Sequence, residues 1–272
     1  MSADERFAFG MNWRSYLARI DDAHVGHAEN SLRKLLRRDR LDGVRFLDIG
    51  CGSGMSSLVA RRLGARVQAF DYDSQSVSAS RALKARFRPD DDDWIIDQGS
   101  VLDPVFMGTR GRFDIVHAWG VLHHTGDMWQ ACSHAAQTVA PGGSLALAIY
   151  NDQGGASQRW ARVKRAYVRG GPALRAALTV GCVARQWGRT FLRDLLKTGN
   201  PLFTWRRYGA ERCMSAWHDA VDWVGGWPFE VATPEAIFNF HRDRGFVLEG
   251  LKTCGGGLGC NEFLFRASSC AT

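Results

Sequence analysis

The stretch FLDIGCGSGMSS at residues 46–57 sets three glycines at alternate positions, Gly50, Gly52 and Gly54, beginning two residues after an acid, Asp48. Glycine there permits a tight turn and a close approach of the backbone to a ligand. A triphosphate loop would need Gly-Lys-Ser/Thr after the glycines, and this chain has Gly54-Met55-Ser56. A dinucleotide loop needs GxGxxG, with a glycine where Met55 stands. A second acid, Asp71, follows 21 residues after Gly50. A carboxylate at that place accepts hydrogen bonds from two ribose hydroxyls, each contributing about 1.5–3 kcal/mol. It would also repel the 2′-phosphate of a phosphorylated dinucleotide. Asp48 would repel a pyrophosphate and attract an ammonium group. A ribose and an ammonium without a pyrophosphate describe an adenosyl ligand with an amino-acid tail, and S-adenosyl-L-methionine is the one expected.

Three further groups could carry acid–base chemistry. His123 and His124 follow the fourth expected strand, at the carboxyl edge where open α/β sheets bind ligands. Two readings stand for them: a general base, or rings that hydrogen-bond the backbone and shape the loop. His218 and Asp222 are four residues apart, so on a helix they share a face and form either a base with its orienting carboxylate or a helix cap and core plug. His117 lies inside a strand and reads as a packed core histidine. The run Asp90–Asp93 reads as a solvated loop, and no metal site is expected. The seven cysteines are scattered without a CxxC pair and read as free thiols.

The elements that must hold these groups alternate from residue 44 onward. VRFLDIG, ARVQAFD, DWIIDQ, FDIVHAW and SLALAIYN are near-continuous apolar runs separated by helical stretches, as a parallel sheet covered on both faces requires. The helix DMWQACSHAAQTVA is expected to stop at Pro141-Gly142-Gly143. Asp21, Asp73 or Ser74, and Thr233 are expected helix caps. FVLEGLKT and the strand after the turn at 255–259 are expected to be antiparallel neighbours. Residues 156–210 break the rhythm and read as two or three basic amphipathic helices. Trp160, Val163 and Tyr167 form one stripe, and Trp187, Phe191 and Leu195 form another.

In order and spacing, LDIGCGSG, FDYD, QGSVLD, FDIVHAWGVLHH and VAPGGSLALAIYN resemble the motifs of class I S-adenosylmethionine-dependent methyltransferases, in the small-molecule branch related to ubiquinone-biosynthesis methyltransferases. The close likeness covers about 44–150. It implies a Rossmann-like, doubly wound α/β fold with a seven-stranded sheet, mostly parallel with an antiparallel last strand. It also implies that Asp48 meets the methionine amino group, directly or through water. Gly50, Cys51, Gly52 and Gly54 would pass under the cofactor. Asp71 would hold the ribose with Tyr72 against the adenine, Ser100 and Val101 would sit at the adenine edge, and Trp119 and Gly120 beneath the methyl donor. Many relatives have Gly-Asp where this chain has Gly99-Ser100, which leaves the Val101 amide as the contact there. Relatives commonly carry His at the position of His124. They place substrate-binding elements after the fifth strand, which here is the tryptophan-rich MSAWHDAVDWVGGWPFE with Trp217, Trp223 and Trp227. Their segment before the first strand closes over the cofactor, a role that would fall to Phe9, Asn12 and Trp13; ordinary packing on the sheet is the other reading.

The whole chain, 1–272, is expected to form one methyltransferase domain, with a core of 44–150 and 231–266 and a helical cap from 1–40 and 156–230. Net charge is +7, but residues 156–212 alone hold 13 Lys/Arg against two acids, while the rest carries 22 against 26. This basic segment has three readings: a solvated cap, attraction of an anionic or lipid-like substrate or a membrane surface, and nucleic-acid binding. RNA methylation is the alternative function, disfavoured because no Asn-Pro-Pro-aromatic motif follows the fourth strand. Cytosine-carbon methylation lacks its Pro-Cys. The start, MSADERFAFGMNW, has acids and no apolar core, and no apolar run approaches the roughly 18–20 residues that span a bilayer. A cytoplasmic enzyme acting on a small-molecule acceptor is therefore expected.

Overall fold

A computed structural model describes residues 6–7, 9–10, 17, 20–212 and 215–269, with the backbone alone for 209–212. Asn12 and Trp13 lie outside the described residues. Seven strands, β1 (Arg45–Ile49), β2 (Arg66–Asp71), β3 (Trp94–Gln98), β4 (Phe113–Trp119), β5 (Val139–Tyr150), β6 (Phe246–Lys252) and β7 (Cys260–Ala267), form one sheet in the order β3-β2-β1-β4-β5-β7-β6. The first five are parallel, and β7 runs against both β5 and β6. The chain steps outward from β1 to β3, then returns to place β4 beside β1. Strand order therefore reverses between β1 and β4, where ligands bind in such sheets.

The period-two alternation of the strands divides the core. Phe46, Ile115, Ala146 and Leu264 face helices α1 (Asp22–Leu36), α2 (Met55–Arg62) and α3 (Ser74–Phe87). Leu47, Ile49, Val116, Leu145 and Leu147 face α4 (Pro104–Gly108), α5 (Met128–Gln137) and α10 (Pro234–Arg242). The expected caps form: Asp21 accepts from the His24 amide at 3.0 Å, Asp73 from Gln75 at 2.9 Å and Thr233 from Ala236 at 3.2 Å.

Two expectations are corrected. Helix α5 ends at Gln137, and Pro141-Gly142-Gly143 lies inside β5. Phe113 pairs with Val139 and Ile115 with Ser144, so a bulge absorbs the extra residues and the proline interrupts no regular ladder. The Asp90–Asp93 run is only partly solvated. The Asp91 side chain is buried in a two-pronged pair with Arg61, at 2.8 and 2.7 Å, which ties the loop to α2.

The basic segment forms three helices, α6 (Gly155–Arg169), α7 (Pro172–Thr198) and α8 (Phe203–Arg212), followed by α9 (Ala216–Gly225). Trp160, Tyr167, Cys182 and Val224 make a separate small core, with Phe7, Val163, Leu178, Trp223 and Phe229 packed against it. The second expected stripe is only half used. Trp187 and Phe191 stack and meet Trp205, whereas Leu195 stays exposed beside Leu192 and Leu196.

Candidate active site

The glycine loop links β1 to α2. Gly50, Gly52 and Gly54 all have positive φ, at 67°, 53° and 83°. A Cβ on Gly50 would strike the Val121 side chain, and one on Gly54 would strike Ser80. The glycines therefore serve both the turn and the close packing of the loop. Gly54 begins α2 without any side-chain cap, so the first amides of that helix lack an internal acceptor. That end suits a carboxylate.

Asp71 ends β2 and takes the Gly52 amide at 3.0 Å and the Asp73 amide at 2.9 Å, one on each oxygen. Each oxygen keeps a second lone pair. Burial pushes its carboxyl up to about 6, against the two amides that pull it down. Asp48 is buried beneath the loop. It accepts from the Ser57 hydroxyl at 2.6 Å and faces His117 Nδ1 at 2.9 Å. Both its oxygens are thus engaged, and its charge supports the loop from within. His117 is buried in its strand and stacks on Trp119, whose own ring is 40% exposed at the strand end. Gly120 follows with φ at 71°. Tyr72 is half-exposed beyond Asp71. The Ser100 hydroxyl accepts from the Leu102 amide, and the Val101 carbonyl accepts from His134, which fixes the turn after β3. Cys51 is buried, its thiol raised by burial and by the two acids beside it.

His123 and His124 sit on a short turn, Leu122–His124, after β4. His124 Nδ1 lies 2.6 Å from the Pro228 carbonyl, which can only accept, so Nδ1 carries the proton and Nε2 the lone pair. Burial drives this imidazole down to about 3. His123 is wholly buried, and Tyr150 N donates to its Nδ1 at 3.4 Å. Phe9 packs 5.0 Å from the His124 ring. The N-terminal segment crosses here. Phe7 N donates to the Trp227 carbonyl at 3.0 Å, Arg6 donates to the Thr125 carbonyl at 2.7 Å and lies over the Tyr72 ring, and Gly10 N donates to Asp73 at 2.9 Å. It therefore spans from the loop after α9 to the end of β2.

Of the tryptophan-rich segment, Trp223 joins Tyr150, Trp160 and Phe229, and Trp227 lies under the Arg165 guanidinium. Trp217 points elsewhere, 45% exposed. His218 Nδ1 meets the hydroxyl of Ser215, the cap of α9, at 2.5 Å. One group escaped sequence reasoning. Lys164 of α6 is completely buried against Trp223, Phe229 and Tyr150. The signal was its position, four residues after Trp160 and three before Tyr167, inside an apolar stripe.

Comparison with known proteins gives the family and the fold. A family model described as a methyltransferase domain matches residues 23–191, more than half of the chain. The ubiquinone biosynthesis O-methyltransferase of Rhodopseudomonas palustris strain TIE-1 is 35% identical over 115 residues, 41% of this chain and 42% of that protein. The counterpart in strain BisB18 is 32% identical over 137 residues, 50% of each. The chain thus spans about half the length of the curated relatives it matches. Magnesium protoporphyrin IX methyltransferase from Synechocystis PCC 6803, solved with bound SAH, superposes with a TM-score of 0.55 at 14% identity, over 95% of this chain and 94% of that one. The same Rossmann-like sheet is therefore present.

Proposed function

The chain belongs to the methyltransferase-domain family, and we propose on that premise that it moves the methyl group of S-adenosylmethionine to an oxygen or nitrogen of a small molecule, anionic or lipid-like in character. The observation that carries the cofactor assignment is Asp71. Its carboxylate is oriented by two backbone amides beside a glycine loop whose turns leave no room for side chains. The residues present fit the adenosyl ligand. Asp71 would take the ribose hydroxyls, the open end of α2 the carboxylate, and the buried charge of Asp48 would favour the ammonium through its partners. Tyr72 and the Val101 amide border the adenine position, and Trp119 and Gly120 the position of the sulfur.

Bound there, the cofactor supplies an electrophilic methyl group. The protein's part is alignment: acceptor, methyl carbon and sulfur must be collinear, with reacting atoms about 3–3.5 Å apart and water excluded. His124 Nε2 offers a lone pair to the acceptor's O–H or N–H. As the acceptor's lone pair forms the new bond to carbon, the C–S bond breaks with its electron pair going to sulfur, and that proton passes to Nε2. Phe9, Trp223 and Trp227 would wall the acceptor, with Arg6, Phe7, Phe9 and Gly10 over it, and α6–α9 would form the cap. In the same reading Asp222 lies near the buried Lys164 and Tyr150, and His218 is held by the cap of α9.

A lipid-like acceptor is favoured by the face of α7. Leu192 and Leu196 are 59% and 78% exposed among Arg185, Arg189, Arg193 and Lys197, which are exposed too. A cationic rim around apolar side chains suits an anionic lipid surface better than an RNA backbone. Among the described residues, no helix is long and apolar enough to cross a membrane. The test is transfer of a labelled methyl group. Label is expected in small phenolic or amine acceptors, faster when they are presented in anionic vesicles than in neutral ones. Label in tRNA, with none in the small molecules, would replace this reading by the nucleic-acid one.

A further inference from the structure

Lys164 is the most unusual charge in the molecule. Its Nζ donates to the Trp223 carbonyl and lies 4.4 Å from the Trp223 ring centroid, 4.7 Å from Phe229 and 5.9 Å from Tyr150. Among the described residues it forms no ion pair, although a buried lysine ordinarily requires one. The Tyr150 ring is also a neighbour of both histidines, 4.0 Å from His123 and 5.4 Å from His124. Three basic nitrogens therefore share one desolvated aromatic cluster. Like charges in such a place disfavour one another, so the cluster holds one proton's charge far more readily than two. Lysine is intrinsically the most basic of the three.

Resting on the methyl-transfer reading, we propose that Lys164 is a positioning residue: its buried ammonium keeps His124 a neutral imidazole, with Nδ1–H fixed on the Pro228 carbonyl and Nε2 presenting its lone pair to the acceptor. A neutral ring also avoids repelling the cationic methyl donor. The electrostatic picture agrees. Burial lowers Lys164 to about 7, and after burial itself Lys164 is the charge that most lowers His124. His123 is lowered by burial, by His124 and by Lys164. The other titratable groups around the cluster are Tyr150 on β5, Cys182 on α7, and Asp219 and Asp222 on α9. Arg6 and Glu230 flank the turn that carries the histidines.

The experiment is a nitrogen-15 NMR titration of the histidine rings in the full chain, with the wild type beside K164M and K164Q. Methionine fills the same space, and replacing a lone buried charge by an apolar chain tends to preserve or raise stability. Glutamine serves if methionine perturbs the fold. In either neutral variant the His124 midpoint is expected to rise by about one pH unit or more, while the kcat/KM profile between pH 5 and 8, set by Asp71, stays where it is. A midpoint unchanged from wild type overturns the proposal. Calorimetric binding of S-adenosylmethionine on the same samples separates the two levels. A midpoint shift without cofactor binding would sink the methyl-transfer reading alone, whereas binding without a midpoint shift would sink the role of Lys164 alone.

Discussion

Replacing Asp71 by alanine is expected to weaken binding of S-adenosylmethionine by roughly 10- to 150-fold for each ribose hydroxyl that loses its charged acceptor, from the 1.5–3 kcal/mol of such a bond. The melting temperature should move little. The variant frees two backbone amides, Gly52 and Asp73, but it also removes a carboxylate that burial opposes. The pH dependence has a definite sign. The folded carboxyl is raised to about 6 from an ordinary 3.8. Below the lower value it is protonated in both the folded and the unfolded chain. Between the two the unfolded chain ionises first, so the ligand-free fold loses stability as pH rises through that window. Cofactor affinity runs the other way, because hydroxyls donate best to the ionised form. Below about pH 6 the apparent Kd of the wild type should climb by up to about tenfold per unit, and in D71A this dependence should vanish. Calorimetry from pH 5 to pH 8 on both proteins measures it. Equal affinities would mean that the ribose is held elsewhere.

Replacing His124 by glutamine is expected to lower turnover with cofactor affinity unchanged. A positioned base contributes about 10²–10⁴-fold, and the low basicity of this ring argues for the lower end, about 10². An imidazole driven down to about 3 is a poor acceptor for a phenol's proton before reaction. It is a serviceable one once bond formation has made that proton strongly acidic. The acid side of the kcat profile should therefore show no fall from His124 between pH 5 and 8. Any fall in kcat/KM for the cofactor in that range belongs to Asp71. If H124Q turns over at the wild-type rate and only melts earlier, the ring shapes the loop and takes no part in the chemistry.

Much of the scaffold is legible in the sequence because parallel strands buried on both faces must be apolar almost throughout. Phe46 to Ile49 and Ile115 to Ala118 announce themselves in this way. The switch point is legible too, since all three glycines hold a positive φ and a Cβ on Gly50 or Gly54 would collide with a neighbour. Other features are not. Pro141-Gly142-Gly143 carries a stop signal, yet a bulge opposite Asp114 keeps it in a strand, and bulges depend on the partner strand. Asp91 reads as solvated until Arg61, 30 residues earlier, is seen beside it. Asp48 is aimed at the site by its position in sequence, but Ser57 and His117 reach it first.

Lys164 is the clearest case. Lysine on a basic amphipathic helix is read as a surface charge, and most of its neighbours in 156–212 are exposed. Only the meeting of α6 with α9 and the end of β5 encloses it, and that meeting brings together residues 150, 164, 223 and 229. Pairing across such distances leaves no mark in local periodicity. The tryptophan-rich segment divides for the same reason: the Trp223 ring packs on Tyr150 and the Trp227 carbonyl accepts from Phe7, while Trp217 is 45% exposed.

The most direct measurement is calorimetric titration of the wild-type protein with S-adenosylmethionine, S-adenosylhomocysteine and NADH at pH 7.5. Saturable one-to-one binding of both adenosyl ligands is expected, with no heat from NADH. Binding of NADH with neither adenosyl ligand bound would contradict the assignment of the glycine loop, Asp48 and Asp71 to a methyl donor.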